Sequence, residues 1–151
     1  MKLLLLLLLF PLFLFPSSFD QATSLIKQHE GFVATPYVDQ HHFSVGYGTN
    51  LMTGITKAEA TLLLTHRLAI IEQQLNQYNW YRKQNQTRQA ILLDMGYNLG
   101  IHGLLQFKSM IWALNRNYYN GAANALKHSL WYKQTKSRGK HLVKLMRQGH
   151  N

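Results

Sequence analysis

The sequence contains no cysteine, so neither disulfides nor a thiolate metal site hold the fold together, and cysteine nucleophile chemistry is excluded. Packing alone has to do it. Acidic side chains are also scarce: six Asp and Glu stand against sixteen Lys and Arg, for a formal charge of +10. The imbalance is local. Residues 1–70 carry four acidic and four basic side chains, whereas residues 71–151 carry two acidic and twelve basic. A cationic half of this kind attracts polyanions, whether nucleic acid, anionic lipid or wall polymer. No motif beyond charge points to nucleic acid. There is no internal repeat, and only one long hydrophobic run.

That run is at the N-terminus. Lys2 precedes Leu3 to Phe15, an apolar stretch broken only by Pro11, and Pro16-Ser17-Ser18 follows with small residues. A helix that crosses a bilayer needs about 20 apolar residues, so residues 1–18 read as a signal peptide for export, with an N-terminal membrane anchor as the alternative. The run contains no Gly or Ala, so a cleaved signal or a firm tether is expected in preference to a releasable anchor. Residues 19–151 have the size and the 46% hydrophobic content of a single domain with a buried interior.

Within that domain, helical spacing predicts a short helix from Asp20 to Glu30, with Asp20 or Thr23 as N-cap and Gly31 as its stop. Residues 32–47 are rich in β-branched and aromatic side chains around a polar turn at Asp39-Gln40-His41-His42, which reads as a β-hairpin. Thr56-Lys57-Ala58-Glu59 is a capping-box sequence opening an apolar pattern through Leu64, Leu68, Ile71 and Tyr78, so one helix is expected over 57–79. Shorter helices are expected at 87–99, 107–116, 120–130 and 137–147, separated by Gly100, Gly103 and the polar 133–137 stretch. The expected fold class is therefore α+β and predominantly helical: a small lobe with a hairpin (19–56), a linking helix (57–79) and an all-helical lobe (80–151). Phe107, Trp112, Trp131 and Tyr132 fall on amphipathic patterns and read as core.

With so few acids, Glu30 and Asp39 stand out, because they flank the start and the turn of the hairpin. Glycosidic bond cleavage requires one protonated carboxyl group to donate to the leaving oxygen and one carboxylate to activate water or stabilise positive charge. Spacing alone leaves solvated surface charges as the commoner reading. The neighbours change this. Glu30-Gly31-Phe32, Tyr37-Val38-Asp39, Ser44-Val45-Gly46-Tyr47-Gly48-Thr49-Asn50-Leu51, Gly54-Ile55-Thr56, Asp94-Met95-Gly96-Tyr97-Asn98-Leu99-Gly100, Phe107-Lys108-Ser109 and Ser129 to Arg138 together resemble the phage-type lysozymes, also called endolysins or muramidases. The resemblance runs through nearly everything after about residue 22.

It implies a lysozyme-like fold and hydrolysis of the β-1,4 bond between N-acetylmuramic acid and N-acetylglucosamine in peptidoglycan. Glu30 would be the general acid, and Asp39 with Ser44 would activate water. Tyr97 and Asn98 match an aromatic–amide pair that lines the family's sugar groove. Three departures are visible. Ser44 stands in place of the family's threonine and follows Asp39 one residue sooner, Thr49 replaces a frequent histidine, and two sugar contacts align with Met110 and Ala125. No cofactor is expected. His41 and His42 are adjacent in a turn with no third ligand, so no metal site is expected either. The expected partner is anionic peptidoglycan, met by an exported monomer that touches the membrane only through its N-terminal segment. The rival reading is a non-catalytic cationic protein that binds walls or disrupts membranes.

Overall fold

A computed structural model describes residues 17–39 and 41–150. The chain divides into two compact units at the Thr56–Lys57 junction. Apart from Ser17 and Ser18, the expected export segment lies outside the described residues.

The first unit opens with helix α1, Ser18–Glu30. The N-cap is Ser17, not Asp20 or Thr23. Ser17 Oγ accepts from the Asp20 N–H (3.2 Å), and the Asp20 carboxylate accepts from the Ser17 N–H (3.1 Å). Placing Asp20 three residues inside the helix satisfies two free donors at once, which neither alternative cap achieves. Gly31 stops the helix with φ 67°, and its N–H reaches the Lys27 carbonyl.

Strands β1 (Val33–Asp39), β2 (His42–Gly46) and β3 (Thr49–Asn50) form an antiparallel sheet in that order. The expected hairpin is present, and the short third strand extends it. Asp39 pairs with His42 and Tyr37 with Ser44, whereas the next pair is Val33 with Gly46. Residues 34–36 thus form a bulge, which accommodates Pro36 because its nitrogen has no hydrogen to give the ladder. A 3-10 turn at Leu51–Thr53, capped by the Asn50 side chain, packs against β2.

The second unit is all helix: α2 (Lys57–Leu75), α3 (Asn79–Arg82), α4 (Gln86–Leu105), α5 (Lys108–Asn115), α6 (Tyr119–Lys127), α7 (Leu130–Thr135) and α8 (Ser137–Gln148). The fold class is α+β and mostly helical, as expected. Two boundaries differ. The helix expected over 57–79 ends at Leu75, because Asn76 is a weak helix former and Tyr78, two residues on, takes an extended backbone (ψ 123°) as the N-cap of α3. The helix expected over 120–130 breaks at His128, and Ser129 caps a separate α7 by accepting from the Tyr132 N–H (3.1 Å); α7 then runs to Thr135, into the 133–137 stretch expected to be a polar linker. Gly100 does break its helix, with φ 69° and ψ 165°, but helical turns resume to Leu105.

The core gathers Leu75, Ile91, Leu92, Met95, Leu104, Leu114, Leu126 and Met146, all essentially inaccessible. Each contributes roughly 1.5–3 kcal/mol by leaving water. Trp131 is buried and Phe107 and Tyr132 pack against this core, as expected. Trp112 does not: it is 55% exposed, with the Arg116 guanidinium 4.2 Å from its ring centre. Its helix, α5, turns Met110, Ala113 and Leu114 inward instead.

Two buried side-chain oxygens sit poorly in this core among the described residues, Gln84 Oε1 and the Tyr81 hydroxyl. The Tyr81 hydroxyl is buried and has no hydrogen-bond partner among the described residues. Burial first, and the negative charge of Glu72 second, push its phenol from 10.0 up to about 12. The folded state therefore keeps a proton that the unfolded state loses, so this contribution to stability is complete below pH 10 and disappears as pH rises through about 12. Tyr81→Phe is expected to be neutral or slightly stabilising at pH 8. Its advantage over the natural protein should grow between pH 10 and 12, as read from denaturant midpoints; a constant difference across that range contradicts the assignment.

Candidate functional site

In the first unit, one turn meets one carboxyl group. Glu30 is the last residue of α1, exposed and followed at once by the Gly31 stop. Tyr47-Gly48, the turn joining β2 to β3, lies against it. A Cβ placed on Gly48 would sit 2.7 Å from Glu30 Oε2, closer than any real Cβ approaches a heavy atom, and Gly48 has φ 72°. Only glycine satisfies both conditions without strain. Tyr47 fixes the turn from the other side. Its ring lies 5.4 Å from that of Phe32, and the Lys27 ammonium is 5.5 Å from its centre. Lys27, Glu30 and Phe32, from α1 and the residues just after it, therefore receive the turn as a group.

Asp39 ends β1, exposed and paired with His42 across the hairpin, so the register places it at the turn end of the strand. Ser44 occupies the middle of β2, between Tyr37 on β1 and Asn50 on β3, and is only 3% exposed. It is the one buried polar residue of this unit among those described. His41 and His42 are exposed, and among the described residues no group of three His, Cys, Asp or Glu forms a metal cage.

In the second unit, Tyr97 projects from α4 at 42% exposure and lines a shallow pocket of about 360 Å³ with Arg67, Ile71 and Gln74 of α2. The two helices come together there because Gly96 has no Cβ, which would meet Ile71 Cγ2 at 2.8 Å. Asn98 is engaged: its Oδ1 accepts a 2.7 Å hydrogen bond from the indole N–H of the buried Trp131. A buried indole needs such a partner, and this one links α4 to α7. Met110 is buried, and it lines a pocket of about 290 Å³ with Ala125.

Glu30 and Asp39 stand out in the sequence, whereas nothing local marks a role for Lys27, Tyr47 or Gly48 beyond the Gly46-Tyr47-Gly48 run, in which two glycines bracket an aromatic residue. Such a run marks a backbone turn that something approaches closely.

The family model described as phage lysozyme matches residues 27–149, which takes in Glu30, the sheet and every helix of the second unit. Among curated proteins, the chain is similar to the pre-baseplate central spike protein Gp5 of Enterobacteria phage T4, at 29% identity over 100 residues. The aligned part is 64% of this chain and 17% of the spike protein.

Gly48 and Gly54 offer a matched pair of substitutions. Both have positive φ, 72° and 71°, but a Cβ on Gly54 meets nothing within 4 Å. Ala at either position is expected to lower stability by about 1 kcal/mol. Gly48→Ala alone should also displace the Glu30 carboxyl group and reduce clearing of cell-wall suspensions by more than its loss of folded protein explains. Equal clearing by the two variants at equal folded concentration would disprove that.

Proposed function

The chain belongs to the phage lysozyme family, whose members are glycosidase-type enzymes directed at peptidoglycan, and on that premise we propose that it hydrolyses the β-1,4 bond between N-acetylmuramic acid and N-acetylglucosamine. The observation that carries this reading is the exposed Glu30 carboxyl group, fixed at a helix end against Gly48, the turn residue without a side chain. A carboxyl group held in one place and open on its other side suits a proton donor, because general acid catalysis depends first on geometry.

In the proposed reaction Glu30 protonates the glycosidic oxygen as its bond to the anomeric carbon breaks. Asp39 takes a proton from the water that attacks that carbon, and the Ser44 hydroxyl orients this water, since a hydroxyl both donates and accepts. Tyr97 supplies an aromatic face for a sugar ring. Asn98 uses its oxygen to hold Trp131, which leaves its Nδ2 to donate to a sugar hydroxyl or acetamido oxygen. No cofactor enters this scheme. The polymer is outside the inner membrane, so export through residues 1–18 belongs to the proposal, as a cleaved signal or a retained tether. N-terminal sequencing of the exported protein tests this, an intact Met1 counting against cleavage.

Glu30→Gln should reduce release of reducing sugar from purified walls by at least about a hundredfold, and Asp39→Asn by a comparable factor. Ser44→Ala should lose about fivefold, the equivalent of one hydrogen bond of about 1 kcal/mol, and Ser44→Thr should restore it. If Glu30→Gln and the natural protein release equal sugar, Glu30 is not the acid. Wall clearing or killing by Glu30→Gln without sugar release would instead favour a non-catalytic cationic protein.

A further inference from the structure

Helix α8 presents its cations in two different ways. Arg138 faces Asp94 on α4, with a 2.8 Å ion pair and a second contact to the Asp94 carbonyl. Lys140, Lys144 and Arg147 fall within about 60° of arc on another side of the helix, by the spacing of 3.6 residues per turn. Together with Lys127 at the end of α6 and Tyr132 of α7, they line a groove of about 320 Å³ that includes no carboxylate. Residues 95–151 contain no Asp or Glu.

Like charges four residues apart on a helix repel, so Lys140 and Lys144 cost the isolated helix some stability. Arg147 is held across the groove by a neutral partner, donating to Asn124 Oδ1 at 2.7 Å, which fixes its direction and leaves its charge uncompensated. The groove is also shaped by design of the backbone: a Cβ at Gly139 would meet Tyr132 Cδ2 at 3.0 Å and Thr135 Oγ1 at 2.8 Å, so glycine there lets α7 seat the half-buried Tyr132 against α8.

We propose that this groove of α6, α7 and α8 binds a phosphodiester polymer attached to the bacterial wall, the cations taking successive phosphates and Tyr132 the intervening sugar or polyol. It rests on the reading of the protein as wall-directed and adds a second attachment point. A phospholipid surface fits less well, because binding in a bilayer interface needs an exposed apolar face. The apolar residues of α8, Leu142, Val143, Leu145 and Met146, are all buried in the core.

The test is binding of the full chain to soluble poly(glycerol phosphate) over a range of salt concentrations. Two triple variants with equal loss of charge are compared with the natural protein: Lys140→Gln/Lys144→Gln/Arg147→Gln in the groove, and Lys83→Gln/Lys108→Gln/Arg116→Gln, exposed elsewhere on the same unit. The groove variant should lose on the order of tenfold or more in affinity, and the slope of log K against log salt should fall by about 2. The control should change by less than about threefold, as befits diffuse charge. Should the groove triple melt early, Lys144→Gln alone is the variant measured, and a loss of about threefold with a slope change near 0.7 supports the proposal. Equal losses in the two triples overturn it. So does binding of phosphatidylglycerol vesicles or duplex DNA as tightly as poly(glycerol phosphate) and with the same dependence on the groove. Because binding is measured without hydrolysis, failure here is separate from failure of the catalytic reading. Sugar release from polymer-stripped walls, unchanged in the groove variant, reports on the latter.

Discussion

The turn between β2 and β3 reaches the Glu30 carboxyl group because residue 48 has no side chain, and much of the first unit is arranged around that approach. The helix must end where it does, so that Glu30 stands at its last position with Gly31 turning the chain away. Tyr47 must point back toward α1, where Phe32 and Lys27 receive it. The sheet then has its register set from both ends, by this turn and by the Asp39–His42 pair, and the two extra residues of β1 are absorbed in the bulge at Pro36. Few apolar side chains are buried within this unit, so the close contacts at Glu30 carry unusual weight in defining its geometry.

The second unit solves a different problem: how to hold fourteen of the chain's sixteen Lys and Arg side chains with three acids. Arg88 shows one solution. Its guanidinium lies 3.5 Å from the centre of the Tyr119 ring, and it donates to the carbonyls of Met146 and Arg147 at the end of α8. A helix C-terminus carries partial negative charge, so these carbonyls stand in for a carboxylate. Asn85 adds to the same junction, accepting from the Arg88 N–H and donating to the Gly149 carbonyl. Gly149 has left-handed φ, and a Cβ there would strike the Arg88 guanidinium at 2.7 Å, so its glycine serves both the helix end and the cation. Asp94 neutralises Arg138, and among the described residues the groove cations have no equivalent.

How much of this was legible in the sequence depended on the range of the forces involved. The hairpin, its turn and most helices follow from periodicity and from glycine stops, which act over a few residues. Ser17 as the cap of α1 was missed because Asp20 offers the same chemistry three residues later, and the reciprocal pair is only one of several local solutions. The break at His128 and the separate α7 depend on Trp131 finding Asn98 thirty-three residues away, which no local pattern reports. Trp112 looked like core by spacing, but Met110, Ala113 and Leu114 already fill the inward side of α5. At the site, Glu30 and Asp39 were visible through the scarcity of acids and through resemblance, whereas the role of Gly48 depends on a tertiary contact. Asn98 was read only as a sugar ligand, and its bond to Trp131 gives it a structural task as well.

Helix α8 packs on α4, α6 and α7 and supplies Leu142, Val143, Leu145 and Met146 to the core, yet it is the last helix of its unit to be synthesised. While the chain is still emerging, the apolar sides of α4 and α6 have no cover and Arg88 has no helix end to hold. The second unit therefore completes its folding only after residue 148 has left the ribosome. Until then those uncovered apolar sides are open to other chains, and the unfinished unit has to be kept from aggregating.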